Sequence, residues 1–222
     1  MAQRMVQPRL SWLREARAAP EFAGFVATVG PLVARSPRGD GHRVLVLPGF
    51  RASDASTRPI RWFLNRLGYR THGWGLGTNA GPTSHMTDGL RRLVDRLIEA
   101  DQAPMSLVGW SLGGVYAHGI AEQRPGHVRQ VVTLGSPLNY APRLPATVPA
   151  TSIYSKSDAV VAYRASLLTS GPLRENVEVR GSHVGLGHNP PVLVVVADRL
   201  AQPAGAWTPY QPPRWARPWL PS

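Results

Sequence analysis

Several short segments of the chain are rich in apolar and β-branched residues and stop at turn residues or polar loops. "HRVLVLPGF" (42–50) runs through Val44 to Leu47 and ends at Pro48-Gly49; "MSLVGW" (105–110) and "VRQVVTLGSP" (128–137) have the same form. "ATSIYSKSDAVV" (150–161) and "NVEVRGSH" (176–183) start as strands and pass into polar loops, and "YRTHGW" (69–74) is a shorter strand candidate. Apolar runs of this length, bounded by Gly and Pro, predict strands buried on both faces. Between them the period changes. "STRPIRWFLNRLG" (56–68) places Ile60, Phe63, Leu64 and Leu67 at helical spacing and ends on Gly68. "SHMTDGLRRLVDRLIEA" (84–100) gathers Met86, Leu90, Leu93, Val94, Leu97 and Ile98 on one helical face. "PPVLVVVADRLAQ" (190–202) reads as a helix packed on a sheet, although its valines also fit a strand. "PEFAGFVATVGPLVAR" (20–35) predicts a short helix or two, interrupted at Gly30-Pro31, before the turn cluster "SPRGDG" (36–41).

Strand and helix alternating at this spacing predict an α/β domain: a mostly parallel sheet with helices on both faces. Right-handed crossovers then collect the C-terminal strand ends, and the loops leaving them, along one edge. The expected division is an N-terminal helical or irregular extension (1–41), one α/β domain (42–200) and a C-terminal tail (201–222) rich in Pro and Trp. That tail has neither helical nor strand period and is expected to lie extended on the surface or to be partly mobile.

On the predicted active edge, one stretch stands out. Gly109-Trp110-Ser111-Leu112-Gly113 matches G-x-S-x-G between the strand ending Leu107-Val108 and a helix carrying Val115, Ala117, Ile120 and Ala121. A tight strand-to-helix turn forces its serine into strained backbone angles and needs small neighbours, so the flanking glycines suit a nucleophile elbow. Alone, the five-residue match is weakly specific, and a plain turn serine satisfies it too.

With this context the chain resembles the α/β-hydrolase family, specifically its small lipases and esterases, over roughly residues 42–200. The resemblance implies nucleophile, acid and histidine in that chain order, each in the loop after a strand: Ser111, then Asp158 in "YSKSDAVV", then His183 in "GSHVGL". A serine hydroxyl is a weak nucleophile, so His183 takes its proton during attack and returns it to the leaving group, while Asp158 holds the imidazole tautomer. The oxyanion needs two preorganised N–H donors. Leu112, opening the helix, supplies one; Phe50, in "LPGF", is the other by resemblance. Many family members have His-Gly where this chain has Pro48-Gly49, which removes a side chain that often braces that loop. Glu178 and Asp198 compete for the acid role but sit inside strand and helix patterns. His188, in "GLGHNPPV", competes for the base but precedes a helix start, where capping and packing suit it. His42, His72, His85, His118 and His127 share no ligand-like spacing, so no metal and no cofactor are expected.

Trp74 and Trp110 read either as apolar walls of an acyl pocket or as ordinary core. Between "TLGSPLNYAPR" and "IYSKSD" there is room only for a proline-containing loop (142–149), so little or no cap domain is expected, and the site should be open and shallow. The implied activity is carboxylic-ester hydrolysis through an acyl-enzyme on Ser111, acting on a small-molecule or lipid ester. An acyltransferase or thioesterase would use the same triad, and a non-catalytic α/β-hydrolase-fold binding protein is the reading from another class.

Composition narrows the partners. Of 222 residues, 43% are hydrophobic and 17% charged, a globular balance. The absence of cysteine excludes disulfides and thiolate zinc sites. The net charge of +12 is almost entirely arginine, with Lys156 the only lysine. It is dispersed and lacks an aromatic-interleaved basic run, so no nucleic-acid partner is expected. No apolar run approaches the roughly 18–20 residues of a membrane span, and no secretory signal is recognisable, which makes the cytoplasm the default expectation. Aromatic and arginine side chains in "RLSWLREARAAPEFAGF" (9–25) and in the tail leave open peripheral contact with a lipid interface, against the simpler expectation that both ends cover core surface. Oligomeric state is not encoded in any pattern found.

Overall fold

The computed structural model describes residues 15–221. Six parallel strands form one sheet: β1 (Arg43–Leu47), β2 (Arg70–His72), β3 (Met105–Trp110), β4 (Val128–Leu134), β5 (Ala150–Tyr154) and β6 (Arg174–Glu178), in the order β2-β1-β3-β4-β5-β6. Helices that cover it include α1 (Ala18–Arg35), α2 (Arg58–Leu67), α3 (Ser84–Ala100), α4 (Leu112–Gln123) and α5 (Pro190–Ala201). The strands' alternating side chains divide the core in two. Val44, Val46, Val108, Val132 and Ile153 face α1, α2 and α5. Leu45, Leu47, Leu107 and Val131 face α3 and α4. Both faces of β1 are therefore buried, as its unbroken apolar run requires.

The strand order reverses between β1 and β3, since β2 lies on one side of β1 and the rest of the sheet on the other. Loops leaving adjacent strands on either side of such a switch diverge and open a crevice at the C-terminal edge. Into it come the segments after β1 (48–52) and β3 (Ser111). From β4 to β5 the chain makes only the short turn Leu138–Tyr140, so no cap is inserted there.

Gly30-Pro31 does not divide the N-terminal segment. One helix runs from Ala18 to Arg35 with Pro31 inside it. A proline there loses one hydrogen bond and crowds the preceding turn, costing about 3 kcal/mol. The apolar stripe of Phe25, Val29, Leu32 and Val33 continues across the proline and packs on the sheet-side core, which outweighs that cost. The valine-rich 190–201 segment is a helix, with Pro at its first turn and Val192 to Ala197 buried.

The tail lies on the same core: Tyr210, Trp215, Trp219 and Leu220 pack against it and Ala216 is 1% exposed. Arg199, with a side chain 1% exposed, donates to Glu175 Oε1 (2.7 Å) and to the Thr208 carbonyl (2.6 Å), tying tail, α5 and β6 together. The lipid-contact expectation for residues before Glu15 lies outside the described residues. Among the described residues no helix is long and apolar enough to cross a membrane.

Candidate active site

The turn from β3 into α4 sets the geometry of Ser111. The chain reverses so sharply that Gly109 and Gly114 touch: a Cβ on Gly109 would lie 2.4 Å from the Gly114 Cα. One on Gly113 would lie 2.2 Å from the Leu47 carbonyl oxygen, so α4 starts directly against β1. Ser111 pays for this turn with φ 53° and ψ −122°. Among the described residues only Arg51 (φ 59°) shares a positive φ without being glycine. Strained backbone of this kind costs about 1–3 kcal/mol and persists where surrounding contacts over-determine it. Here the Ser111 N–H is held by the Leu134 carbonyl (2.8 Å) and its carbonyl by the Gly114 N–H (3.0 Å).

Asp158 and His183 arrive from the loops after β5 and β6. His183 Nδ1 is 2.6 Å from Asp158 Oδ2, with side-chain exposures of 7% and 1%. The other carboxylate oxygen, Oδ1, accepts the N–H groups of Val160 and Val161, both at 2.8 Å. With Nδ1–H committed to Asp158, the assigned tautomer leaves Nε2 with a free lone pair. Gly135, directly after the Leu134 that holds Ser111, lies against both groups: its Cβ would sit 2.9 Å from Asp158 Oδ2 and 3.3 Å from His183 Nδ1. Ser111 itself is partly exposed, open to solvent at the sheet edge.

Of the two expected oxyanion donors, Leu112 directly follows Ser111, and Phe50 directly follows Gly49 in the β1 loop. Among the described residues neither the Leu112 N–H nor the Phe50 N–H has a backbone acceptor. Leu112 opens α4, where the helix dipole adds partial positive charge. Gly49 brings the β1 loop onto Ser111, with a Cβ position 3.1 Å from the Ser111 Cβ. What braces this loop is Asn79, which is fully buried. Its Nδ2 donates to the Pro48 carbonyl (3.0 Å), and its Oδ1 accepts from the Gly81 N–H (3.0 Å) and the Tyr116 hydroxyl (3.2 Å). Backbone bonds Arg51 N–H to Asn79 carbonyl and Asn79 N–H to Ala52 carbonyl, both 2.8 Å, complete the bracing.

The two tryptophans part company. Trp74 is 1% exposed, stacks on Tyr116 and donates its indole N–H to the Gly77 carbonyl (2.9 Å), so its ring is core and not an exposed wall. Trp110 stays partly exposed beside Ser111, and its indole N–H donates to the His183 carbonyl (3.1 Å). The competitors are occupied elsewhere. Glu178 pairs with Lys156 (2.6 Å) and Asp198 with Arg199. His188 Nε2 bonds the Ala18 carbonyl (3.1 Å), its ring packs edge-on against Phe22, and burial pushes its pKa down.

A second Ser-His-Asp array lies at the opposite, N-terminal edge of the sheet. His42 bridges Asp40 through Nδ1 (2.5 Å) and Ser106 Oγ through Nε2 (2.8 Å), and Arg129 pairs with Asp40 (2.6 Å). Its hydrogen bonds would satisfy a triad, yet Ser106 is 0% exposed within β3, closed to a substrate. Burial pushes the His42 pKa down despite the aspartate bond. This array cross-links the starts of β1, β3 and β4. Among the described residues no cluster of three or more His, Asp or Glu side chains could hold a metal ion.

No family model matches the chain. By sequence it is similar to a pimeloyl-[acyl-carrier protein] methyl ester esterase of Shewanella sp. (strain MR-7), 32% identical over 99 residues, a match covering 45% of this chain. The matched part spans only 36% of that protein's length. Solved structures resemble it more extensively. A thioesterase domain from the curacin biosynthetic pathway superposes with a TM-score of 0.53 at 15% identity, over 75% of this chain and 93% of that one. A metagenome-derived lipolytic enzyme of the LipS and LipT pair gives 0.57 at 18%, over 74% and 93%. The mouse alpha/beta hydrolase domain-containing protein 10 gives 0.56 at 14%, over 75% and 92%. Sheet order, crossover pattern and these likenesses agree: the chain has the α/β-hydrolase fold.

Proposed function

We propose that the chain hydrolyses carboxylic esters through an acyl-enzyme on Ser111. The Ser111 Oγ attacks the ester carbonyl while its proton passes to His183 Nε2. The carbonyl oxygen, now negative, is held by the N–H groups of Leu112 and Phe50. Collapse expels the alcohol, which takes the proton from Nε2; a water then attacks the acyl group by the same proton path and frees Ser111. Asp158 keeps Nδ1–H in place and stabilises the imidazolium between steps. The observations that support this reading are the strained Ser111 turn at the head of α4, the Leu112 and Phe50 N–H groups that lack a backbone acceptor among the described residues, and the His183–Asp158 pair held in the loops of the same sheet edge.

The rim supports an apolar acyl group. Phe50 (58% exposed), Tyr140 (61%), Val160 (48%) and Val184 (43%) are exposed in the loops after β1, β4, β5 and β6, the same edge that carries Ser111. With no cap between β4 and β5, a bulky or surface-presented ester can reach the serine. A thioester would use the same atoms with a thiol leaving group, and the likeness to a thioesterase domain keeps that substrate in the test. The test is a stopped-flow burst with p-nitrophenyl esters and acyl thioesters of increasing chain length. A burst that Ser111→Ala abolishes, with ester turnover exceeding thioester turnover, is expected. Folded wild-type protein that turns over neither would overturn the reading.

A further inference from the structure

The histidine of the site follows one of the two edge strands of the sheet. β6 is an edge strand of five residues with no fully buried position, paired only with β5. The loop leaving it carries three successive N–H groups, at Ser182, His183 and Val184, beyond the edge at which β6 has no further strand partner among the described residues. Two carboxylates from the N-terminal segment accept them. Glu15 Oε1 accepts the His183 N–H (3.1 Å) and the Ala159 N–H (3.3 Å), and its Oε2 accepts the Val184 N–H (2.8 Å). Glu21 Oε1 accepts the Ser182 N–H (2.9 Å) and its Oε2 the Ser182 hydroxyl (2.6 Å). The Ser182 oxygen in turn accepts the Gly185 N–H (3.0 Å), and Gly185 leaves Glu21 room: a Cβ there would lie 1.5 Å from Oε2.

We infer that Glu15 and Glu21 are positioning residues for His183, so that the N-terminal segment is part of the catalytic apparatus and not only a cover for the core. Glu15 joins the residue after Asp158 to the His183 backbone, which fixes the separation across which Nδ1–H meets Oδ2. Hydrogen bonds to an ionised acceptor are roughly twice as strong as neutral ones, and five donors share these two groups. A shift of about 1 Å in the base costs on the order of 10²-fold in rate. The inference rests on the esterase reading for its kinetic consequence but not for its geometry.

The two carboxylates differ in what an amide can replace. A glutamine at 21 can still accept the Ser182 N–H through its oxygen and donate its NH2 to the Ser182 hydroxyl, which accepts as well as it donates. At 15, all three partners are N–H donors, so one amide nitrogen must face a donor. Four variants are compared: E15Q, E15A, E21A and E21Q. E15Q, E15A and E21A are expected to lower kcat by about tenfold or more with KM little changed, and E21Q to restore most of what E21A loses. The second readout is the proton NMR resonance of the His183 Nδ1–H, shifted far downfield by the Asp158 bond. It is expected in wild type and E21Q, and exchange-broadened or lost in E15Q and E21A. A purely structural clamp would lower thermal stability while kcat per folded molecule and the resonance stayed at wild-type values, and that result overturns the inference. So does E15Q behaving as E21Q does, or a resonance absent from wild type. If wild type neither turns over esters nor reacts with a fluorophosphonate, the esterase reading fails, while the resonance still decides whether the carboxylates hold His183.

Discussion

Asn79 holds the β1 loop, and removing its side chain isolates what that loop contributes. Asn79→Ala deletes three hydrogen bonds: Nδ2 to the Pro48 carbonyl, and Oδ1 from the Gly81 N–H and the Tyr116 hydroxyl. Each is worth about 1 kcal/mol net, and the buried Pro48 and Tyr116 groups left without partners raise the cost. The expected loss is about 3–4 kcal/mol in unfolding free energy, read by urea denaturation with an unchanged m-value. Tyr116→Phe deletes only one of the three and should cost about 1 kcal/mol. In a double-mutant cycle the pair should couple by about that amount, because both changes remove the same bond. Function should respond as well. With Pro48 released, Phe50 no longer presents its N–H rigidly to the oxyanion. Loss of one such donor costs about 10²–10³-fold in kcat, so partial loss in Asn79→Ala should fall at or below the lower end of that range. Unfolding free energy and kcat both within about 0.5 kcal/mol of wild type would refute the bracing role.

Three further outcomes are expected. Ser106→Ala should leave ester turnover within about twofold while costing about 1 kcal/mol of stability, because Ser106 only accepts or donates one buried bond to His42; loss of turnover would move the chemistry to the wrong array. Burial lowers the His118 pKa from 6.5 to about 4, so the unfolded chain binds the extra proton first and stability falls as pH drops through that window. At about 1.4 kcal/mol for each tenfold in proton affinity, His118→Gln should remove up to about 3 kcal/mol of the difference between pH 7 and pH 4, and identical slopes would contradict this. Arg199→Ala should cost about 3–5 kcal/mol in urea denaturation, since it strands the partly buried Glu175 and releases the tail at Thr208; a loss under about 1 kcal/mol would show that the ion pair is idle.

The strands, α2 to α5 and the loops holding Ser111, Asp158 and His183 were legible because each is a local signal. Apolar runs stopped by Gly and Pro mark the strands, and helical periods mark the covers between them. The G-x-S-x-G turn needs its glycines for contacts made within the elbow and with the strand beside it. What was not legible depends on partners far apart in the chain. Glu21 reads as an ordinary acidic residue in a first helical turn, yet its acceptors serve Ser182, 161 residues away, and Glu15 serves Val184, 169 residues away. Asn79 sits in "GLGTNAGPT", where asparagine is expected for turn chemistry, and nothing local reveals that it braces Pro48. Pro31 signalled a break because propensity is local, whereas the core stripe that overrides it is not. Trp74 fitted pocket and core equally; its burial and packing on Tyr116 separate them. The Asp40–His42–Ser106 array had no signature, since its members meet only when β1 and β3 pair.

The central claim is that Ser111, and no other serine, is the nucleophile. Reaction of the folded protein with a fluorophosphonate, followed by peptide mass spectrometry, tests it most directly. One adduct is expected, on the peptide bearing Ser111, absent in Ser111→Ala and retained in Ser106→Ala. A folded protein that takes up no label, or carries it on another serine, would contradict the claim.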